Sequence, residues 1–107
     1  MNASLDRALS AVADPTRRAI VDRLARGPAR VTDVAEPFAM SLNAVSKHIK
    51  VLEVAGFVRR VRHGREHLLE LDATPLRELA RWAHGYEQFW NEQLDRLEAF
   101  FKTNEKK

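Results

Sequence analysis

Six of the 25 residues from Ser41 to Arg65 are lysine or arginine (Lys47, Lys50, Arg59, Arg60, Arg62 and Arg65), against the single acid Glu53. The chemistry open to such a cluster is neutralisation of phosphate, because each phosphate paired with a cation releases condensed counterions. The rest of the chain does not share the excess: residues 1–40 carry six basic and five acidic groups, and residues 66–107 carry six and nine. The net charge of +3 is therefore the average of a basic segment and two others. A solvated face would have the same composition, so spacing and context have to decide.

Other chemistries find little to work with. The chain has no cysteine, hence no disulfide, thiolate ligand or cysteine nucleophile. There is no HExxH pattern and no glycine-rich phosphate loop, and the acids are scattered over helix faces, which argues against an enzyme. His63 and His67 lie close in sequence but read as a loop residue and a half-buried strand residue rather than as a metal pair. No cofactor and no metal are expected.

The elements that position the basic cluster follow from periodicity and punctuation. Leu5, Leu9 and Val12 recur at helical spacing up to Asp14-Pro15, where Asp14 suits an N-cap and Pro15 the first helical position. Ile20, Val21 and Leu24 stripe a second helix that ends at Gly27-Pro28. Thr32 is the expected cap of a short third helix that Pro37 limits, followed by a turn through Phe38-Ala39-Met40. Ser41 then caps a helix over 42–55 whose Val45, Ile49 and Leu52 share one face, with Asn43, Lys47 and Lys50 on the other. Gly56 ends it.

Beyond Gly56, Val58 to Arg62 and His67 to Leu71 read as strands of a hairpin around His63-Gly64-Arg65, with a basic tip. Thr74-Pro75 opens a last helix over 75–102, leaving 103–107 as a frayed tail. At 107 residues and 45% apolar content, this is one domain, 1–107, with a helix-turn-helix core and wing at 5–72. It is mainly α with an α+β wing: a winged helix-turn-helix with a long C-terminal dimerisation helix. In that arrangement the 42–55 helix enters the DNA major groove. No apolar run approaches the ~20 residues of a membrane span, and Met1-Asn2-Ala3-Ser4 does not open a signal peptide, so the expected location is the cytoplasm, or the nucleoid when DNA is bound.

The runs ADPTRRAIVDRLARGP (13–28) and VTDVAEPFAMSLNAVSKHIKVLEVAGFVRR (31–60) resemble the ArsR/SmtB family of bacterial winged-helix repressors. That resemblance implies a homodimeric transcriptional repressor of double-stranded DNA. It places the DNA contacts on Ser41, Asn43, Ala44, Ser46, Lys47, His48 and Lys50. One departure is Leu42, where many relatives carry a polar residue. Leu42 either packs beside Val45 or touches a thymine methyl. In the wing, Arg62 and Arg65 flank the Gly64 turn and suit the minor groove or its phosphates. Arg59 and Arg60 face opposite sides, and one of them is expected to pair with Glu53 or Glu70.

The last helix would be about 42 Å long at ~1.5 Å per residue, far longer than a domain of this size is wide. Leu79, Ala83, Tyr86, Trp90, Leu94, Leu97 and Phe101 recur along it at spacings of three and four, flanked by Trp82, Phe89 and Phe100. The economical partner for this stripe is the same helix of a second copy, with Leu5 and Leu9 alongside. A two-fold would set two recognition helices about 34 Å apart for a pseudo-palindromic operator.

Many proteins of the family release DNA when metal binds cysteines near the third helix or a paired site on the last helix. Without cysteine the first is absent. Of the second only His84-x-x-Glu87 remains, short of the three or four ligands zinc takes. A small apolar inducer between the last helices stays open. So does an adaptor that binds protein through the aromatic helix and does not read DNA.

Overall fold

Three of the helices start where a short polar side chain takes up a loose backbone N–H. In the computed structural model, which describes residues 2–105 and the side chains of 2–103, Asn2 caps α1 (Ala3–Ala11) by accepting from the Ser4 and Leu5 amides. Asp14 caps α2 (Pro15–Ala25), accepting from Arg17 N at 3.0 Å with Pro15 in the first turn. Ser41 Oγ caps α4 (Leu42–Val54), accepting from Ala44 N at 3.1 Å.

The short α3 (Val31–Ala35) departs from expectation. Its N-cap is Arg30, and Thr32 lies inside the helix. The neighbouring Ala29 exchanges both backbone hydrogen bonds with Leu69, at 3.1 and 2.7 Å. That bridge holds the chain extended up to Arg30, so the helix starts directly after it. Arg30 Nε donates to Asp33 at 3.0 Å where a polar cap would otherwise act.

Gly56 ends α4 with φ +85°. Its N–H donates to Glu53 O, and Phe57 N donates to Leu52 O at 2.9 Å. This left-handed closure turns Phe57 inward, where it is fully buried. β1 (Val58–His63) and β2 (Glu66–Leu71) then pair antiparallel from Val58 opposite Leu71 to His63 opposite Glu66. Gly64, at φ +62°, and Arg65 form the two-residue turn. His63 is therefore the end of a strand and not a loop residue. His67, expected half-buried, is exposed: it sits opposite Arg62 near the tip, while the core is reached only further along, at Leu69.

One stripe from each of α1–α4 meets the base of the hairpin to form the core: Ala8 and Ala11, then Ile20, Val21 and Leu24, then Val34, then Val45, Ile49 and Leu52, with Phe57, Val58 and Leu69. Leu76 and Leu79, near the start of α5 (Thr74–Glu105), pack against it. The opening N–H of α5, on Thr74, donates to Asp72 Oδ1 at 2.9 Å, and Asp72 N donates to Phe57 O at 2.7 Å. The long helix is thus tied to the backbone of Phe57, the largest fully buried residue.

α5 continues through Thr103, whose Oγ1 donates to Ala99 O, to Glu105. The expected frayed tail from 103 is helical to that point, and Lys106 and Lys107 lie outside the described residues. From Ala80 to Thr103 every residue but Gln93 is exposed. The radius of gyration is accordingly 19.7 Å and the long dimension 73 Å, against roughly 13 Å for the radius of a compact chain of this length.

Two outcomes follow. Ile49→Ala should destabilise the fold by about 2–5 kcal/mol, measured by urea unfolding. The carboxyls of Asp14, Asp33 and Asp72 are held below their usual value of 3.8, chiefly by the Arg17 N–H, the Arg30 side chain and the Thr74 N–H respectively. Their stabilisation is present above that value and is lost as pH falls through the lower folded one. Urea midpoints should fall on acidification below about pH 4, and less steeply in Asp72→Asn.

Candidate nucleic-acid interface

Burial of Val45, Ile49 and Leu52 sets the rotation of α4. At ~100° per residue, the face opposite carries Asn43, Lys47 and Lys50, all exposed, while Ala44 and Ser46 are half-buried at its edges. Ser41 Oγ accepts the Ala44 N–H, which leaves its hydroxyl proton free to donate. Leu42 is 51% exposed and stands outside the core cluster, so packing beside Val45 is not its role. Lys50 borders an apolar recess of about 250 Å³ between α1 and α4, with Arg7, Val51 and Val54.

His48 is turned elsewhere. Its side chain is 24% exposed and faces the start of α2, with Nδ1 at 3.2 Å from an Arg17 guanidinium nitrogen and 3.8 Å from Asp14 Oδ2. A guanidinium only donates, so a neutral ring accepts at Nδ1 and carries its proton on Nε2. The same guanidinium donates to the last carbonyls of α1, Ala11 O at 2.7 Å and Ser10 O at 3.2 Å. Arg17 thereby closes the C-terminus of α1 and ties it to α4. Nothing in the spacing of the sequence singled out Arg17, because its partners lie six, seven and 31 residues away.

The wing sorts its arginines by ion pairing. Arg59 meets Glu70 at 3.1 Å, and Arg60 meets Glu53 at 3.0 Å. Both neighbours are engaged, where one pair was expected. Arg62 Nε donates to Gly64 O at 3.0 Å, which folds its base along the turn. Among the described residues no acid pairs with Arg62 or Arg65, nor with Lys47 or Lys50. Within residues 41–65 the unpaired cations therefore lie on the outer face of α4 and at the wing tip.

The histidines do not gather. His63 shares a face of the hairpin with Glu66, and His67 shares the other with Arg62, so the two point apart. On α5, His84 Nδ1 and Glu87 Oε2 are 3.9 Å apart and exposed. No cluster of three ligand residues occurs among the described residues.

The expected dimer residues divide in two. Leu5 and Leu9 of α1 are half-buried. Trp82, Tyr86, Phe89, Trp90, Leu94 and Leu97 are between 42% and 57% exposed, so this chain alone does not cover the stripe. No helix among the described residues is long and apolar enough to cross a membrane.

A helix-turn-helix domain family is matched over residues 12–61, the span from the end of α1 into the wing. The chain is 43% identical over 91 residues to the HTH-type transcriptional regulator Rv2034 of Mycobacterium tuberculosis, covering 85% of this chain and 82% of that protein. Among solved structures, the ArsR family transcriptional regulator RHA00566 superposes with a TM-score of 0.74 at 38% identity, over 82% of this chain and 97% of the other. The homodimeric winged helix-turn-helix DNA-binding domain of Mb0332 from Mycobacterium bovis superposes with a TM-score of 0.60 at 25% identity, over 87% and 83%. A capped recognition helix with its cations outward, a hairpin wing and this likeness over most of the length agree: the chain belongs to the ArsR family of winged helix-turn-helix transcriptional regulators.

Proposed function

We propose that this protein is a homodimeric repressor that reads a pseudo-palindromic operator in double-stranded DNA. The observation that carries the reading is the sorting of charge. Arg59 and Arg60 are neutralised by Glu70 and Glu53, whereas Lys47, Arg62 and Arg65 have no acidic partner among the described residues. Lys47 suits guanine N7 and O6 in the major groove, Asn43 and Ser46 suit base edges or phosphates, and the exposed Leu42 suits a thymine methyl. Arg62 and Arg65 suit the minor groove or its phosphates. His48 serves by its Nε2–H, held in orientation by Arg17.

The exposed stripe of α5 takes a second copy, which spaces two recognition helices by about one helical turn of DNA, ~34 Å. Repression follows from occupancy of the operator. The protein's work in this reading is recognition and not turnover, and its place is with DNA in the cytoplasm.

Binding isotherms on specific and random duplexes test the assignment. Lys47→Ala should weaken specific binding by roughly 1–3 kcal/mol and relax sequence preference, whereas Arg65→Ala should weaken both duplexes about equally. Arg17→Ala should weaken operator binding while leaving the dimer intact. A mobility-shift assay on DNA upstream of the coding region should give a complex that weakens steeply with salt. No complex at low salt would favour a protein-binding adaptor instead.

A further inference from the structure

The recess of about 250 Å³ between α1 and α4 lies outside the aromatic stripe of α5. It is open because the two helices meet there through small side chains, Ser10 and Ala11 from α1 and Ala55 from α4. Its wall is apolar. Ala11 is buried, whereas Val51 and Val54 are 40% and 67% exposed. At ~100° per residue, these valines stand on the Lys47 side of α4, one and two turns further along. A helix that met only water on that side would carry polar residues there.

Arg7, Ser10 and Lys50, all exposed, supply the polar groups. Among the described residues no acid pairs with either cation, and no acid lines the recess. Cations bordering other recesses have an acid beside them: Glu78 with Arg77 and Arg81, and Asp22 with Arg18. Two unneutralised cations beside an apolar wall match an amphipathic anion. Its body takes the valines out of water, and its head receives charge-assisted hydrogen bonds from the guanidinium and the ammonium. A DNA phosphate would meet the cations alone and leave the wall wet. The second copy is assigned elsewhere: at ~100° per residue, Arg7 lies on one flank of the buried Ala8 and Ala11, with Leu5 and Leu9 on the other. No residue of α5 lines the recess.

We infer that this recess binds a small apolar carboxylate and acts as an effector site that releases DNA. The hydrocarbon body lies against Ala11, Val51 and Val54, and the carboxylate accepts from Arg7, Lys50 and the Ser10 hydroxyl. Lys50 belongs to both surfaces. A carboxylate that engages its ammonium withdraws it from phosphate and brings a negative charge toward the DNA backbone. Ligand and operator therefore oppose each other, by the same factor in both directions. The release half rests on the repressor reading above, and the binding half does not.

Amide NMR titration of the protein with octanoate and with phenylacetate tests the binding half without DNA. Either acid should shift the amides of Arg7, Ser10, Val51 and Val54. Octanol, which lacks the charge, and acetate, which lacks the body, should bind about tenfold more weakly or worse, and Arg7→Ala should weaken the acid by about tenfold. No response of these amides to millimolar acid, as when a partner chain covers the recess, overturns the site. So does a response confined to the Trp82, Tyr86 and Phe89 recess of α5. On a duplex from the upstream DNA, saturating acid should weaken binding about tenfold and make the slope of log affinity against log salt shallower by about one. Arg7→Ala should bind that duplex as the native chain does and lose the response to acid. If Arg7→Ala weakened the duplex by itself and neither acid bound, the two cations would serve phosphate and the site would be overturned. Acid bound in the recess with DNA affinity unchanged overturns the effector role. A native chain that binds no duplex overturns the repressor reading and leaves the binding result standing.

Discussion

The seating of Val45, Ile49 and Leu52 against the core governs this molecule, because a helix with its back fully buried has lost its freedom to rotate. A 13-residue helix is marginal by itself, so α4 depends on that contact for existence as well as direction. A rotation of one residue, ~100°, would drive Ser46 and Lys50 into the apolar interior and lift Val45 and Ile49 out. Both ends are held as well. Ser41 closes the first turn and Gly56 the last, and Phe57 then enters the core and accepts from Asp72 at the start of α5. The outward row of Asn43 and Lys47 is therefore as well defined as the core itself.

Electrostatics acts on this frame as a sorting device more than as a source of stability. Exposed ion pairs such as Arg59–Glu70 and Arg60–Glu53 contribute little to folding. Their effect is to neutralise two of the wing's four arginines and to fasten the wing beside α4 through Glu53. What remains is a smaller set of cations at defined places. Arg17 does related work in the scaffold. By donating to the α1 carbonyls and to His48 it joins the first helix, the second helix and α4.

The distribution of apolar residues divides the chain by task. The core is made mostly of small aliphatic side chains with Phe57 as its one fully buried aromatic. Trp82, Tyr86, Phe89, Trp90, Phe100 and Phe101 all stand exposed on α5. Aromatic side chains bring large areas to an interface at low cost in side-chain freedom. The chain folds around its aliphatic residues and leaves its aromatic surface exposed.

Much of this was legible in the sequence because the relevant forces act within about one helical turn. The caps at Asp14 and Ser41, the stop at Gly56, the turn at Gly64 and the inward stripe of α4 each depend on hydrogen bonds or periodicity among residues a few positions apart. The amino-acid order determined these, together with the length of α5 and the concentration of charge at 41–65. Only the tertiary structure decided that both Arg59 and Arg60 are paired, that His48 faces α2, that Arg17 joins three helices and that Thr32 is passed over as a cap in favour of a start at Val31. Those outcomes rest on contacts such as Arg17 with His48 and Ala29 with Leu69. Contacts of that kind join residues tens of positions apart, and whether they form depends on how whole elements pack, which no local pattern encodes.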